Sequence, residues 1–282
     1  MLAYLIWDVS PVIAKLGPLT LRWYGLLFAS GFALGAWLLR HIFRTEKVDV
    51  NWVDSLTGYM VVGTVLGARL GHCLFYDPSY YLAHPVEILQ IWEGGLASHG
   101  ATLGILLAVW VFSRRNQFDY LWLLDRIVIV VAIGGMCIRL GNLMNSEIVG
   151  HPTQVPWAFR FVRDPQLGQV PRHPTQIYEA LFCLLLLGLL YSLWRHYRLY
   201  TPRGLLFGLF VVLLFSFRFG IEFLKENQSA FEQGMPLNMG QLLSLPLIAV
   251  GLWVTLRAGR WPANPYGYAP RVLDPAEITR AA

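Results

Sequence analysis

Seven stretches of this chain are long, apolar and nearly free of charge, at roughly 20–39, 53–76, 96–112, 121–144, 176–194, 204–224 and 239–256. An α-helix rises ~1.5 Å per residue, so about 20 residues cross the ~30 Å hydrocarbon layer of a bilayer. Hydrocarbon offers no water to an unpaired backbone group, which leaves helices or a closed barrel as the only spanning structures. The runs lack the two-residue alternation of barrel strands. The expected fold class is therefore all-α: a polytopic membrane helix bundle of about seven transmembrane helices. Composition supports this, since only 14% of the 282 residues are charged, against ~25% in an ordinary soluble domain. The length suits one transmembrane bundle over 1–257, with a cytoplasmic tail over 258–282.

The formal net charge of +5 points to membrane orientation rather than nucleic acid, because the cations sit between the apolar runs. Arg40, Arg44 and Lys47 follow the first run, Arg114 and Arg115 the third, Arg195, Arg198 and Arg203 the fifth, and Arg257 and Arg260 the seventh. The loop 77–95 carries no Lys or Arg. By the positive-inside rule the N-terminus lies outside and the C-terminus in the cytoplasm. The Pro- and Gly-rich segment 145–175 breaks the alternation with Arg160, Arg163 and Arg172, and it is expected to form a small structured cap on the outer (periplasmic) face. The first 17 residues are expected to lie as an arm along that interface. They lack the basic n-region and long apolar core of a secretory signal.

Cys73, Cys137 and Cys183 all fall within apolar runs and read as small buried hydrophobes. Gly63, Gly67 and Gly71 recur at every fourth residue, as do Gly100 and Gly104. Small residues at that spacing let helix backbones approach in lipid, which is a packing signal.

A cation in mid-bilayer costs at least ~2.5 kcal/mol on insertion scales, so ionisable residues within the runs need a partner or a purpose. Arg69, Arg139, Arg218 and Glu222 stand out. Counted from the run ends, the three arginines share one level just below the outer head groups, with His99 near it. Guanidinium groups bind phosphate bidentately and keep their charge, so three at one depth suit the head group of an anionic lipid. The bland alternative is structural pairing, above all between Arg218 and Glu222 one helical turn apart. Arg139, Asn142 and Ser146 lie at i, i+3 and i+7 and read as a polar stripe on an apolar helix. His99 is a potential general base, an imidazole titrating near ~6.5, though a lone His is more often structural. His173 precedes a helix start at Pro174, Thr175 and Gln176 and reads as a capping residue. No H-E-x-x-H, Walker, G-x-S-x-G or G-x-G-x-x-G motif occurs, so neither metal nor cofactor is expected. An anionic-lipid transporter and a lipid phosphatase both remain compatible with buried arginines.

The stretch from Arg139 to Gly150 follows the signature Gly-Arg-x-Gly-Asn-Phe-x-Asn-x-Glu-x-x-Gly, with Ile138 and Leu143 replacing its first Gly and its Phe. With Trp23–Leu26, Gly67–Gly71, Trp92–Gly95, Ser98–Gly100, Arg172–Glu179, Phe217–Arg218, Glu222–Phe223 and Met239–Gln241, the chain resembles the phosphatidylglycerol–prolipoprotein diacylglyceryl transferase family over nearly its whole length. Lys225 departs from relatives that carry Arg there, and Leu214 from some that carry Tyr. The resemblance implies transfer of a diacylglyceryl group from phosphatidylglycerol to the thiol of a lipobox cysteine, in the bacterial inner membrane, with release of glycerol phosphate. It implies Arg139, Arg218 and His99 as catalytic residues, and Arg139, Tyr24, Arg69, Asn142, Asn145, Glu147, Gly150 and Glu222 as substrate-binding residues. The implied partners are phosphatidylglycerol, other membrane lipid and the signal peptides of prolipoproteins.

Overall fold

The computed structural model describes residues 4–17, 19–75, 77–90, 95, 97–226 and 235–261. Helices replace all seven apolar runs: α1 Trp23–Thr45, α2 Asn51–Phe75, α4 Ser98–Asn116, α5 Tyr120–Met144, α6 Thr175–Tyr197, α7 Leu205–Ile221 and α8 Met239–Ala258, with a short α3 at Pro78–Ala83. Six of these, all but α3 and α4, are long and apolar enough to cross a membrane. α4 has the length, at 19 residues, but Ser98 and His99 at one end and Arg114, Arg115 and Asn116 at the other lower its hydropathy. The expected tail lies outside the described residues beyond 261, as do Trp92, Glu93 and Gly94.

The described residues divide into two compact units, one formed by those of 1–38 with 125–261, the other by those of 39–124. In the second unit α2 and α4 meet along their glycines. A Cβ on Gly104 would lie 2.0 Å from the Gly63 carbonyl oxygen, and one on Gly67 2.4 Å from that of Gly100. The two four-residue repeats are thus the two halves of one helix contact. At one end of this unit Phe43, Phe112, Phe118 and Trp122 are buried together, and Arg40 pairs with Asp54.

In the first unit α7 and α8 also cross at glycines, since a Cβ on Gly208 would lie 2.4 Å from Thr255 Oγ1 and one on Gly251 2.9 Å from the Val212 nitrogen. The start of α7 is capped by another helix: Asp125 of α5, wholly buried, accepts from the amides of Gly204 at 2.7 Å and Phe207 at 2.9 Å. A carboxylate is favoured among the unpaired N–H groups of a helix N-terminus. Folded structure runs through the segment 145–175, the expected cap. Its strand β4 (Phe159–Phe161) pairs in parallel with β1 (Leu5–Trp7). The N-terminal arm therefore joins the cap, and a hairpin of β2 (Val12–Leu16) and β3 (Leu19–Arg22) leads into α1. Leu143, Val149, Phe159 and Phe161 form the cap's core with Trp7, Leu167 and Ile177 against it. Trp7 stacks on Phe159 and donates its indole N–H to the Leu143 carbonyl at 3.1 Å.

Candidate functional site

The site is assembled where α5 ends and α6 begins. α5 stops at Met144, and the chain then reverses through Ser146 (φ 55°) and Ile148 (φ 58°). Ser146 is thus not the third member of a helical stripe: it sits in the turn, and the stripe ends with Asn142. A β-branched residue in the left-handed region is strained by about 1–3 kcal/mol and persists only where its surroundings hold it. Two side chains do so. Thr175 donates its hydroxyl to the Ile148 carbonyl at 2.9 Å, and Gln176 donates its amide to the Glu147 carbonyl at 2.7 Å. The start of α6 is where expected, but capping is not its purpose. Pro174 occupies the N-cap without a side-chain cap bond, and the His173 ring meets the Tyr178 hydroxyl at 3.2 Å.

This reversal folds Glu147 back toward α5. Its Oε1 accepts from Asn142 at 2.9 Å and Asn145 at 3.2 Å, and Asn142 in turn accepts from Arg139 Nη1 at 3.3 Å. Tyr24, in the first turn of α1, lies within electrostatic reach of both Glu147 and Arg139, and its hydroxyl makes no hydrogen bond to a described residue. Gly141 makes room for it, since a Cβ there would stand 2.8 Å from the Tyr24 ring.

From Arg139 the charges continue without a break. Its Nε lies 3.3 Å from Glu179 Oε2 on α6. Glu179 Oε1 accepts from Lys225 Nζ at 2.9 Å, and the same ammonium lies 3.3 Å from Glu222 Oε1. Glu222 Oε1 is 3.7 Å from Arg218 Nη2, so the expected ion pair exists, but as one link in a row of five charges. The two arginines occupy its ends with side chains 20% and 29% exposed, while the interior members are at most 8% exposed. Arg218 has no partner among the described residues other than Glu222, and Arg139 Nη2 has none, so each keeps N–H donors to offer. Glu222 is seated at the N-terminus of α8. Asn238, which caps that helix by a reciprocal pair with Gln241, donates to Glu222 Oε2 at 3.3 Å. A Cβ on Gly240 would press the carboxyl at 2.9 Å.

Gly150 lies buried where three segments cross, and a Cβ would stand 2.7 Å from both His173 Cβ and the Leu224 carbonyl. That approach lets Gly150 bridge to Lys225 and lets the His151 amide donate to Leu224 at 2.8 Å. Arg172 closes the same joint, binding the Gly150 carbonyl and pairing with Glu226.

Arg69 and His99 belong to the other unit. Arg69 is 3% exposed, and its guanidinium donates to the carbonyls of Glu87, Ile88 and Gly95 and lies over the Tyr81 ring. This is the structural role of a buried cation. His99 is exposed on the first turn of α4. The three cysteines are free and buried.

Sequence reasoning missed Glu179 and Lys225 as members of the site, and Asp125 and Arg126 as buried charges. Glu179, Asp125 and Arg126 lie within apolar runs, so the cost of charge in lipid marks them as it marks Arg139. Lys225 lies just past a run, and no sequence signal places it between two carboxylates.

Residues 11–257 match the family model for prolipoprotein diacylglyceryl transferase. A protein of Chloroherpeton thalassium named phosphatidylglycerol–prolipoprotein diacylglyceryl transferase is 47% identical over 251 residues, 89% of this chain and 92% of its own. Proteins of the same name from Tolumonas auensis and Porphyromonas gingivalis are each 46% identical, covering 92% of this chain and 100% and 96% of their own.

Proposed function

The chain belongs to the prolipoprotein diacylglyceryl transferase family, and from that membership we propose how its site works. It is a transferase of lipoprotein maturation, acting in a membrane on phosphatidylglycerol and a prolipoprotein. The thiolate of the lipobox cysteine attacks the diacylglyceryl carbon bonded to the phosphate oxygen. A C–S bond forms, the C–O bond breaks, and glycerol phosphate leaves with the electron pair.

During this displacement one negative charge moves from sulfur onto phosphate. A cation fixed beside the phosphate therefore binds the transition state more tightly than the ground state, which is the condition for catalysis. Arg139 and Arg218 are assigned this role. The observation that carries it is their place at the two partly exposed ends of a buried row of charges, with N–H donors uncommitted among the described residues. Asn142, Glu147 and Glu222 orient the arginines, Asn145 orients Glu147, and Tyr24 offers a hydroxyl beside them. Gly150 acts through the backbone joint it permits. A thiol titrates near ~8.5 and needs a base at neutral pH. We assign that proton transfer to His99, an exposed imidazole on α4. Arg69 is assigned to lipid binding only through the carbonyls of Glu87, Ile88 and Gly95 that it holds. The positive-inside pattern supports an inner-membrane enzyme with its N-terminus outside and its site toward the outer leaflet. The signal peptide would then arrive as a helix and the lipid sideways.

The test is reconstitution with phosphatidylglycerol and a synthetic lipobox peptide. Diacylglyceryl-peptide and glycerol phosphate are expected in equal amounts. Lipid consumed equally fast without peptide would instead identify a phosphatase or lipase.

A further inference from the structure

We infer that Lys225 is a positioning residue for the transfer: its ammonium, held between Glu179 and Glu222, keeps those carboxylates from claiming the donors that Arg139 and Arg218 present to phosphate. The inference rests on the proposed role of the two arginines.

Lys225 is 2% exposed, with Glu179 Oε1 at 2.9 Å and Glu222 Oε1 at 3.3 Å. A buried ammonium needs partners for its charge and for its N–H donors. Two carboxylates are present, and each also faces an arginine, at 3.3 Å from Arg139 Nε and 3.7 Å from Arg218 Nη2. Both arginine contacts are longer than a close charge-assisted bond of ~2.8 Å. Each carboxylate thus makes its closer contact with the lysine and its looser one with the arginine. With Lys225 neutral, the two buried carboxylates would keep the two arginines as the cations they face, with Asn238 still donating to Glu222. The least costly rearrangement is bidentate closure of each guanidinium onto its carboxylate, which spends the uncommitted donors.

The backbone fits a positioning role. Lys225 lies in a bridge to Gly150, the last residue of the signature loop, and the Leu224 carbonyl accepts from the His151 amide. The signature loop that follows α5 and carries Glu147 and the segment that carries Arg218 and Glu222 are therefore joined at Lys225, whose side chain links Glu179 of α6 to Glu222.

Lys225→Met, Lys225→Gln and Lys225→Arg are to be purified beside the parent enzyme. Each is assayed with phosphatidylglycerol and lipobox peptide, and the folded fraction is measured by thermal unfolding. The neutral variants are expected to lose kcat by about 10²-fold per folded molecule, the scale of a ~1 Å displacement of a catalytic group, with a smaller change in KM for lipid. Lys225→Arg is expected to stay within about threefold of the parent, since a guanidinium can serve both carboxylates. A merely structural lysine gives a different result: lower thermal stability with unchanged kcat per folded molecule, and that outcome overturns the inference. So does a folded Lys225→Arg protein without activity, which decides the matter even where the neutral variants fail to fold. A parent enzyme that forms no diacylglyceryl-peptide would instead sink the proposed function, a separate and distinguishable failure.

Discussion

Arg139 divides its guanidinium among distinct tasks, Nε toward Glu179 and Nη1 toward Asn142, with Nη2 bonded to no described residue. An ammonium is a point charge on a flexible stem and cannot hold two such partners while keeping a third donor fixed. Arg139→Lys is expected to lower kcat by about 10²–10³-fold, the range found when one oriented donor is lost from a charged transition state. Turnover near the parent rate in the reconstituted assay would show that charge alone suffices. His173, in the cap, carries a pH signature. Burial first, and neighbouring His151 second, lower its pKa from the ordinary 6.5. The folded chain then binds fewer protons than the unfolded chain just below that value. Stability is therefore full above about pH 6.5 and declines as pH falls toward the lowered pKa. Melting curves taken at about pH 7.5 and 5.5 should show a drop in Tm that His151→Asn reduces and His173→Asn reduces further. A drop of equal size in all three proteins would place the titrating group elsewhere.

At the scale of elements, glycine governs how closely helices meet. Between α2 and α4 no Cβ fits at Gly63, Gly67, Gly100 or Gly104 without displacing backbone. Gly104→Ala is expected to destabilise by about 1–3 kcal/mol, the usual cost of forcing a methyl group into a packed contact. The Tm in detergent would report it, and an unchanged Tm would mean that these helices separate at little cost. The repeat was legible in the sequence as a packing signal, and that the two repeats face each other was not. The reversal after α5 shows the opposite limit. Helical spacing extended Arg139 and Asn142 to Ser146, but the left-handed Ser146 and Ile148 end the period there. Their conformations are imposed by Thr175 and Gln176, nearly 30 residues away in sequence. Local propensity could not have foretold them.

For the whole molecule, the arrangement of basic residues makes a topological prediction. A cytoplasm-active reporter fused after residue 257 should be active, and an export-dependent reporter placed within loop 77–90 should also be active. The reverse pattern would invert the bundle and move the proposed site to the inner leaflet. α4 bears on the same question. It carries Arg114 and Arg115 at one end and the exposed His99 at the other, and it is not among the six described helices long and apolar enough to cross a membrane.

The amino-acid sequence alone determined the number of the long helices, because hydrocarbon admits only apolar runs of a certain length. It also marked Arg139, Arg218 and Glu222, because charge in such a run is too costly to be accidental. The tertiary structure decided which charges face one another. Glu179 on α6 and Lys225 past α7 are 46 residues apart, and they meet at 2.9 Å only because the Gly150 joint brings their segments together. Pairing across separate helices depends on packing, and no periodicity within one helix encodes it.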